Sequence, residues 1–309
     1  MLSRRDFALG LGVVAAATSA AAPLQARDFP NGVVQIDAGR DRHDRLTIPV
    51  MIGERGPFDF VVDTGADRSA LAADVAEALG LPPGRPVMVH GITGAEIAAT
   101  VFAPALTLGK VRLKGQELPV LGRDRLGVDG LLGVDVLRRR RLVMNFRERR
   151  LEIRSSGSPR TMVDKASLVP AHARYGRLTV IDARADGARA TAFVDSGGGL
   201  TIVNQALAEN VRARGGWRDP APMVALTGVT EHVAYGEVRV LEALTLGGLR
   251  FTSVPVVVCD LHLFSQWDLD QKPAVLLGVN VLRLFSSVEL DYSRGHMLFQ
   301  GGLAPPLLA

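Results

Sequence analysis

The sequence predicts a mainly β protein of two similar β-barrel lobes related by pseudo-two-fold symmetry, with a few short helices. Three observations carry this. Gly and Pro supply 33 and 17 of the 309 residues, too many for a helical bundle and suited to a turn-rich chain. Short apolar runs bounded by turn residues recur throughout, as strands do. The chain also repeats itself. Phe58-Asp59-Phe60-Val61-Val62-Asp63-Thr64-Gly65 answers to Ala190-Thr191-Ala192-Phe193-Val194-Asp195-Ser196-Gly197, an apolar strand running into Asp-(Thr/Ser)-Gly both times. Gly91-Ile92-Thr93-Gly94 answers to Ala225-Leu226-Thr227-Gly228, and Leu106-Thr107-Leu108-Gly109 to Leu244-Thr245-Leu246-Gly247. Leu131-Leu132-Gly133-Val134-Asp135 then answers to Leu276-Leu277-Gly278-Val279-Asn280, and Met144-Asn145-Phe146 to Leu290-Asp291-Tyr292. The order is the same in both copies, which makes one duplicated unit the simplest source.

Each segment follows in turn. Residues 1–26 carry Arg4 and Arg5, then an uncharged stretch rich in Ala and Gly from Phe7 to Ala26, with small residues where a signal is cut. Ser3-Arg4-Arg5-Asp6-Phe7 resembles a bacterial twin-arginine export signal, so a periplasmic or secreted location is expected. Beyond it no run of about 18 or more apolar residues exists, so the mature chain is expected to be soluble and to meet the membrane only through the signal. The first lobe is assigned to 27–155 and the second to 156–309, with the turn-prone Ser155-Ser156-Gly157-Ser158-Pro159 between them. Arg45–Ile52 and Phe58–Val62 read as strands joined by a hairpin-like loop, Gly53–Pro57. Leu71, Val75 and Leu79 have helical spacing and end at Gly80, and Leu207 and Val211 mark the matching helix, capped by Asn204. Val134–Leu137 and Val279–Leu282 read as short helices. Arg138–Arg141, with Arg147, Arg149 and Arg150, read as a solvated helix end and strand edge. Cys259 reads as a half-buried spectator. It opens a second-copy insertion, Asp260–Ala274, whose Leu261, Leu263, Phe264 and Trp267 are placed on a loop. That loop either packs on its own lobe or forms a rim of a cleft. The tail Gly301–Ala309 is expected to be disordered.

Composition removes several chemistries. One cysteine excludes an internal disulfide and a cysteine-based metal site, and six scattered His show no HxxxH or HExxH spacing, so no metal and no cofactor is expected. A net charge of +4 is mild for this length and does not indicate a nucleic-acid binder. What remains is carboxylate chemistry. An Asp ending an apolar strand is costly to bury unless it is bonded, paired or protonated. Gly65 and Gly197 let each loop turn sharply and offer an N–H to the carboxylate, while Thr64 and Ser196 can bond backbone groups across an interface. If the copies pack about a two-fold axis, Asp63 and Asp195 meet and share one proton, one acting as base on a water and the other as acid on a carbonyl oxygen. His90 reads as a surface residue.

These residues resemble the pepsin/retropepsin-like aspartic protease superfamily. Val61-Val62-Asp63-Thr64-Gly65-Ala66-Asp67 is close to the retroviral-type signature. Leu131-Leu132-Gly133 and Leu276-Leu277-Gly278 match the family's second hallmark, and the resemblance covers about residues 44–300. The closest analogy is a bacterial, fused two-copy form, in which one chain supplies both halves, so a monomer acting on a peptide or protein substrate is expected. The resemblance implies that Asp67 binds substrate backbone. It also implies a flap at His90-Gly91-Ile92-Thr93-Gly94-Ala95-Glu96, with Gly91, Ile92, Thr93 and Gly94 over the substrate and Leu226-Thr227-Gly228-Val229 as a weaker counterpart. The second copy departs from the pattern: Gly199 stands where Asp67 stands in the first, Gly198 replaces a small side chain, and neither flap has the Tyr of pepsins. The expected activity is aspartic endopeptidase. The alternative is a non-catalytic peptide-binding or scaffolding protein that keeps the fold, and a third reading is a peptidase restricted to a cell-wall or self-processing substrate.

Overall fold

The computed structural model describes residues 33–137, 140–155, 167–174, 177–247 and 249–301. The export segment, Arg138 and Arg139, the lobe boundary from Ser156 to Pro159 and the tail after Gly301 lie outside the described residues. The first copy runs β1 (Val33–Asp37), β2 (Gly39–Arg40), β3 (Leu46–Ile52), β4 (Arg55–Val62), β5 (Ala70–Ala72), α1 (Ala73–Leu79), β6 (Val87–His90), β7 (Ala95–Ala98), β8 (Thr100–Leu108), β9 (Val111–Leu121), α2 (Arg123–Leu126), β10 (Gly130–Leu132), α3 (Val134–Leu137), β11 (Arg140–Asn145) and β12 (Arg150–Ser155). The second runs β13 (Ser167–Arg174), β14 (Arg177–Ala185), β15 (Ala188–Val194), β16 (Thr201–Val203), α4 (Gln205–Ala213), β17 (Met223–Thr227), β18 (Val233–Leu246), β19 (Leu249–Val258), α5 (His262–Gln266), β20 (Ala274–Leu277), α6 (Val279–Leu282), β21 (Ser287–Asp291) and β22 (His296–Gln300).

The sequence repeat becomes a repeat of topology. Strands β3-β4-β10-β5-β9-β8 form a ring closed by β3 pairing with β8. Strands β14-β15-β20-β16-β19-β18 form the matching ring, closed by β14 and β18. These two closed six-stranded barrels, with few short helices, are the predicted fold class. Closure leaves neither ring with a free edge. The apolar run before each Asp sits at the centre of its barrel. Phe60, Val61 and Val62 lie parallel to Gly130, Leu131 and Leu132, and Phe193 and Val194 lie parallel to Leu276 and Leu277. All these side chains are buried. A strand covered on both faces needs an unbroken apolar run rather than an alternating one. Burying each large side chain contributes about 1.5–3 kcal/mol.

A third layer joins the lobes. Strands β1-β12-β11-β21-β22-β13 form a continuous sheet in which β11 of the first copy pairs antiparallel with β21 of the second, Arg141 opposite Asp291 and Val143 opposite Glu289. This corrects the reading of the basic cluster. β11 has neighbours on both sides and is not an edge, and Arg140 and Arg141 are 5% and 0% exposed. Arg141 Nε lies 3.7 Å from Glu289 Oε2, so the charge is buried against a carboxylate from the other lobe, the condition under which a buried arginine persists. Arg147 and Arg149 are exposed in the turn after β11, as expected.

Three local expectations also shift. Leu71 belongs to β5, where it pairs with Val120, and the helix starts only at Ala73. β4 begins at Arg55, so the hairpin turn shrinks to Gly53-Glu54. The insertion forms α5 instead of staying a loop. Leu261, Leu263, Phe264 and Trp267 are buried against Phe193, Ile202 and Leu276, with the Phe193 and Trp267 rings 4.6 Å apart, so the segment packs on its own lobe. Cys259 is fully buried in that cluster, and burial pushes its thiol pKa up, with Asp260 adding to the effect. Asn204 caps α4 by accepting from Leu207 N–H at 3.0 Å, and it also binds the insertion through Leu269, Lys272 and Ala274 backbone groups.

Gly80 ends α1 at φ 58°, with open space where a Cβ would project. Gly80→Ala therefore adds left-handed backbone strain and no clash. An apparent loss of about 1–2 kcal/mol is expected in a urea unfolding curve.

Candidate active site

The two Asp loops leave β4 and β15 at the seam between lobes. Asp63 N–H donates to Leu132 O at 3.0 Å and Asp195 N–H to Leu277 O at 2.9 Å, so each Asp is the last residue tied to the parallel strand. The loop then folds back over Gly133 or Gly278. A Cβ on Gly133 would stand 2.6 Å from the Arg68 carbonyl carbon, and one on Gly278 would overlap the Leu200 carbonyl. The glycine of each apolar-apolar-Gly motif is there because loop backbone passes against it.

A second brace escaped the sequence reading. Ser69 Oγ accepts Gly133 N–H at 3.1 Å and donates to Asp135 Oδ1 at 3.0 Å. Thr201 Oγ1 accepts Gly278 N–H at 3.1 Å and donates to Asn280 Oδ1 at 2.8 Å. The signal was available, since Ser69 and Thr201 are separated by the same 132 positions as Thr64 and Ser196.

Across the seam, Thr64 and Ser196 form a closed exchange. Thr64 Oγ1 donates to Val194 O and accepts Ser196 N–H, both at 3.0 Å. Ser196 Oγ donates to Val62 O at 2.7 Å and accepts Thr64 N–H at 3.1 Å. Both side chains are buried, so these are water-free bonds between lobes. The exchange brings the carboxylates together. Gly65 N–H donates to Asp63 Oδ1 at 2.7 Å, and Gly197 and Gly198 N–H donate to Asp195 Oδ1 at 2.9 and 3.2 Å. A Cβ on Gly65 would stand 2.5 Å from Asp195 Oδ1 and 3.1 Å from Asp63 Oδ1, and one on Gly197 would overlap the Asp63 carboxylate. Distances from one shared point bound the two oxygens to within about 6 Å, the range in which one ionised carboxylate opposes ionisation of the other.

A family model described as aspartyl protease matches residues 48–136 and 181–281, one segment per copy. The chain belongs to the aspartyl protease family. Each matched segment runs from the first barrel strands through the Asp loop to the short helix after the apolar-apolar-Gly motif. A comparison with curated proteins gives no match.

In this member of the aspartyl protease family Asp63 and Asp195 line a cleft of about 340 Å³ that passes between the lobes. Asp67 is buried in its wall, and Gly199 takes the corresponding place in the second lobe. Leu263 of the insertion lines the cleft as well, so the segment that packs on its own lobe also forms a rim. Among the described residues no cluster of three or more metal-ligating side chains forms, and no helix is long and apolar enough to cross a membrane.

Both flaps are built, and they meet. β6 and β7 form the first around Gly91–Gly94, and β17 and β18 the second around Gly228. At the tips Thr93 and Thr230 hydroxyls are 3.4 Å apart, and Ile92 packs on the second lobe's apolar cluster. Glu231 N–H donates to Glu96 Oε2 at 2.9 Å. Arg125, from α2, binds Glu96 at 3.3 Å and Glu231 at 2.7 Å, latching both hairpins. His90 is half-buried rather than a surface residue, because its Nδ1 lies 3.0 Å from His262 Nε2 on the insertion helix, with the rings parallel. Sequence gave no sign of this pair, whose partner sits in the insertion. Burial pushes the His262 pKa down, and His90 and His232 push the same way.

That shift has a sign. A solvent-exposed imidazole titrates near pH 6.5, above His262 in the closed state, so an open flap binds more protons as pH falls. The His90–His262 contact is fully present above about pH 6.5 and weakens below it. Amide hydrogen-exchange protection in β6–β7, corrected for intrinsic rate, is expected to drop from pH 7 to 5 while β4 and β15 stay unchanged. Equal protection at both values would contradict the assignment.

Proposed function

We propose that this aspartyl protease is an endopeptidase that works as a single chain, with Asp63 and Asp195 sharing one proton over a water. The observation that carries the reading is the convergence of both carboxylates on one point at the lobe seam, each with glycine N–H donors holding one oxygen. The ionised carboxylate takes a proton from the water as the water oxygen bonds to the scissile carbonyl carbon. The other carboxyl gives its proton to the carbonyl oxygen. The resulting diol returns a proton to the dyad while the amide nitrogen takes one. The C–N bond then breaks with its electron pair on nitrogen, leaving an acid, an amine and a dyad that again holds one proton. Asp67 and the flap residues Gly91, Ile92, Thr93 and Gly94 hold the substrate as an extended strand.

The test is digestion of a broad peptide library between about pH 3 and 8, with product termini read by mass spectrometry. Internal cuts with an acid-leaning or bell-shaped profile are expected. Peptide binding without turnover at any pH would replace this reading with that of a peptide-binding protein that keeps the fold.

A further inference from the structure

We infer that the cleft is electrically polar along its length and selects substrates with an acidic side chain on one side of the scissile bond, held by Arg42. The inference rests on the peptidase reading and adds its substrate class. The dyad and its exchange of hydroxyl bonds are two-fold symmetric and do not distinguish the two directions of a peptide. The walls are not symmetric. Four residues beyond Asp63 the first lobe has Asp67, and four beyond Asp195 the second has Gly199. A Cβ on Gly199 would press against the first lobe, 3.3 Å from His43 Cβ.

The segment that delivers His43, Asp41–Arg45 between β2 and β3, is held rigidly. Asp41 Oδ1 accepts the N–H groups of His43 and Arg45, both at 2.9 Å, and Asp41 Oδ2 accepts Arg45 Nε–H at 2.7 Å. Arg45 then donates to Gly197 O in the second lobe's Asp loop at 3.1 Å and to Leu126 O at 2.7 Å. The segment's carboxylates are engaged: Asp41 with Arg45, and Asp44 with Arg40 and Arg283. Asp124, another acid lining the cleft, lies 3.9 Å from Arg125. Arg42 is exposed in the cleft wall and donates Nε–H to His43 Nε2 at 3.0 Å. That bond fixes the plane of the guanidinium, and a planar fork of donors matches a carboxylate. Asp67 thus stands in the first lobe's part of the cleft wall beside Arg68, whose guanidinium donates to Glu117 O at 2.7 Å, while the segment that carries Arg42 stands against Gly199, where the second lobe has no acid.

The experiment uses a peptide from the library that is cleaved or, if none is, one that binds, blocked at both ends, with Glu, Gln or Lys scanned through every position. A free-acid version distinguishes a side-chain carboxylate from a terminal one. Wild type is expected to favour Glu over Gln about fivefold in kcat/KM, the size of a partly screened charge pair, at a position on one side only. The ratio should fall to about one in Arg42→Ala and reverse toward Lys in Arg42→Glu, through KM. Binding of the same labelled peptides to Asp63→Asn, followed by fluorescence anisotropy, reads the preference without turnover. Turnover with no charge preference, a preference equal on both sides, a preference only for the free terminal acid, or a Glu preference that survives Arg42→Ala overturns the inference. Glu-selective binding that Arg42→Ala removes, with no cleavage of any peptide, supports the polarity and overturns the peptidase reading instead.

Discussion

Replacing Asp63 by Asn is expected to reduce peptide turnover by about 10²–10⁴-fold while the protein stays folded. Asn has the same shape and keeps an oxygen for the Gly65 N–H bond of 2.7 Å, so the loop has no reason to move. What it loses is ionisation, and with it the base that activates water. Asp195→Asn should behave alike, because the Gly197 and Gly198 donors hold it as Gly65 holds Asp63 across the pseudo-two-fold axis. The double variant should be scarcely worse than either single one, since the two groups act as a unit. Measuring kcat/KM alongside thermal unfolding checks both halves. Wild-type turnover in either single variant, with an unchanged unfolding midpoint, would contradict the shared-dyad account.

Thr64→Val combined with Ser196→Ala is expected to produce the largest stability loss of any substitution considered. The pair removes both hydroxyls of the seam and leaves the N–H groups of Thr64 and Ser196 and the carbonyls of Val62 and Val194 without those partners. Each buried orphaned group costs about 1–3 kcal/mol, so the sum over the four is about 4–12 kcal/mol before relaxation. The single variants should each cost about half and should not add simply, because they belong to one network. Turnover should fall with stability, since the same bonds set the approach of Asp63 to Asp195. Thr64→Ser keeps the hydroxyl and should recover most of both. Urea midpoints and kcat/KM on the four proteins test this, and loss of stability without loss of turnover would separate the brace from the chemistry.

Much of this was legible in sequence for a physical reason. Strands buried on both faces must be continuously apolar, which made Phe60–Val62, Leu131–Leu132 and their second-copy partners conspicuous, and a duplication displays each landmark twice. Asn204 was legible because capping is local, its bond spanning three residues. The features that escaped depend on distant partners. Asp135 meets Ser69 from 66 positions away, and only the register of the repeat, which sets Ser69 against Thr201, marks the brace. Arg141 looks like surface charge until β21 brings Glu289 beside it. The flap latch needs Glu96, Arg125 and Glu231 from three separate segments, and His90 finds His262 only once the insertion has folded. α5 has five residues, too few for a helical period to show. Only the charge asymmetry of the cleft was half visible, in the Gly199 that replaces an Asp; the Arg42 and His43 that answer it come from the other lobe.

The central claim is that two lobes make one site in which both carboxylates address the same atom. It is tested most directly by a crystal structure with a peptide whose scissile amide is replaced by a secondary alcohol, a mimic of the diol intermediate. The account predicts the hydroxyl oxygen within about 3 Å of both an Asp63 and an Asp195 carboxylate oxygen. A hydroxyl bonded to only one of them, or a peptide seated away from the seam, would contradict it.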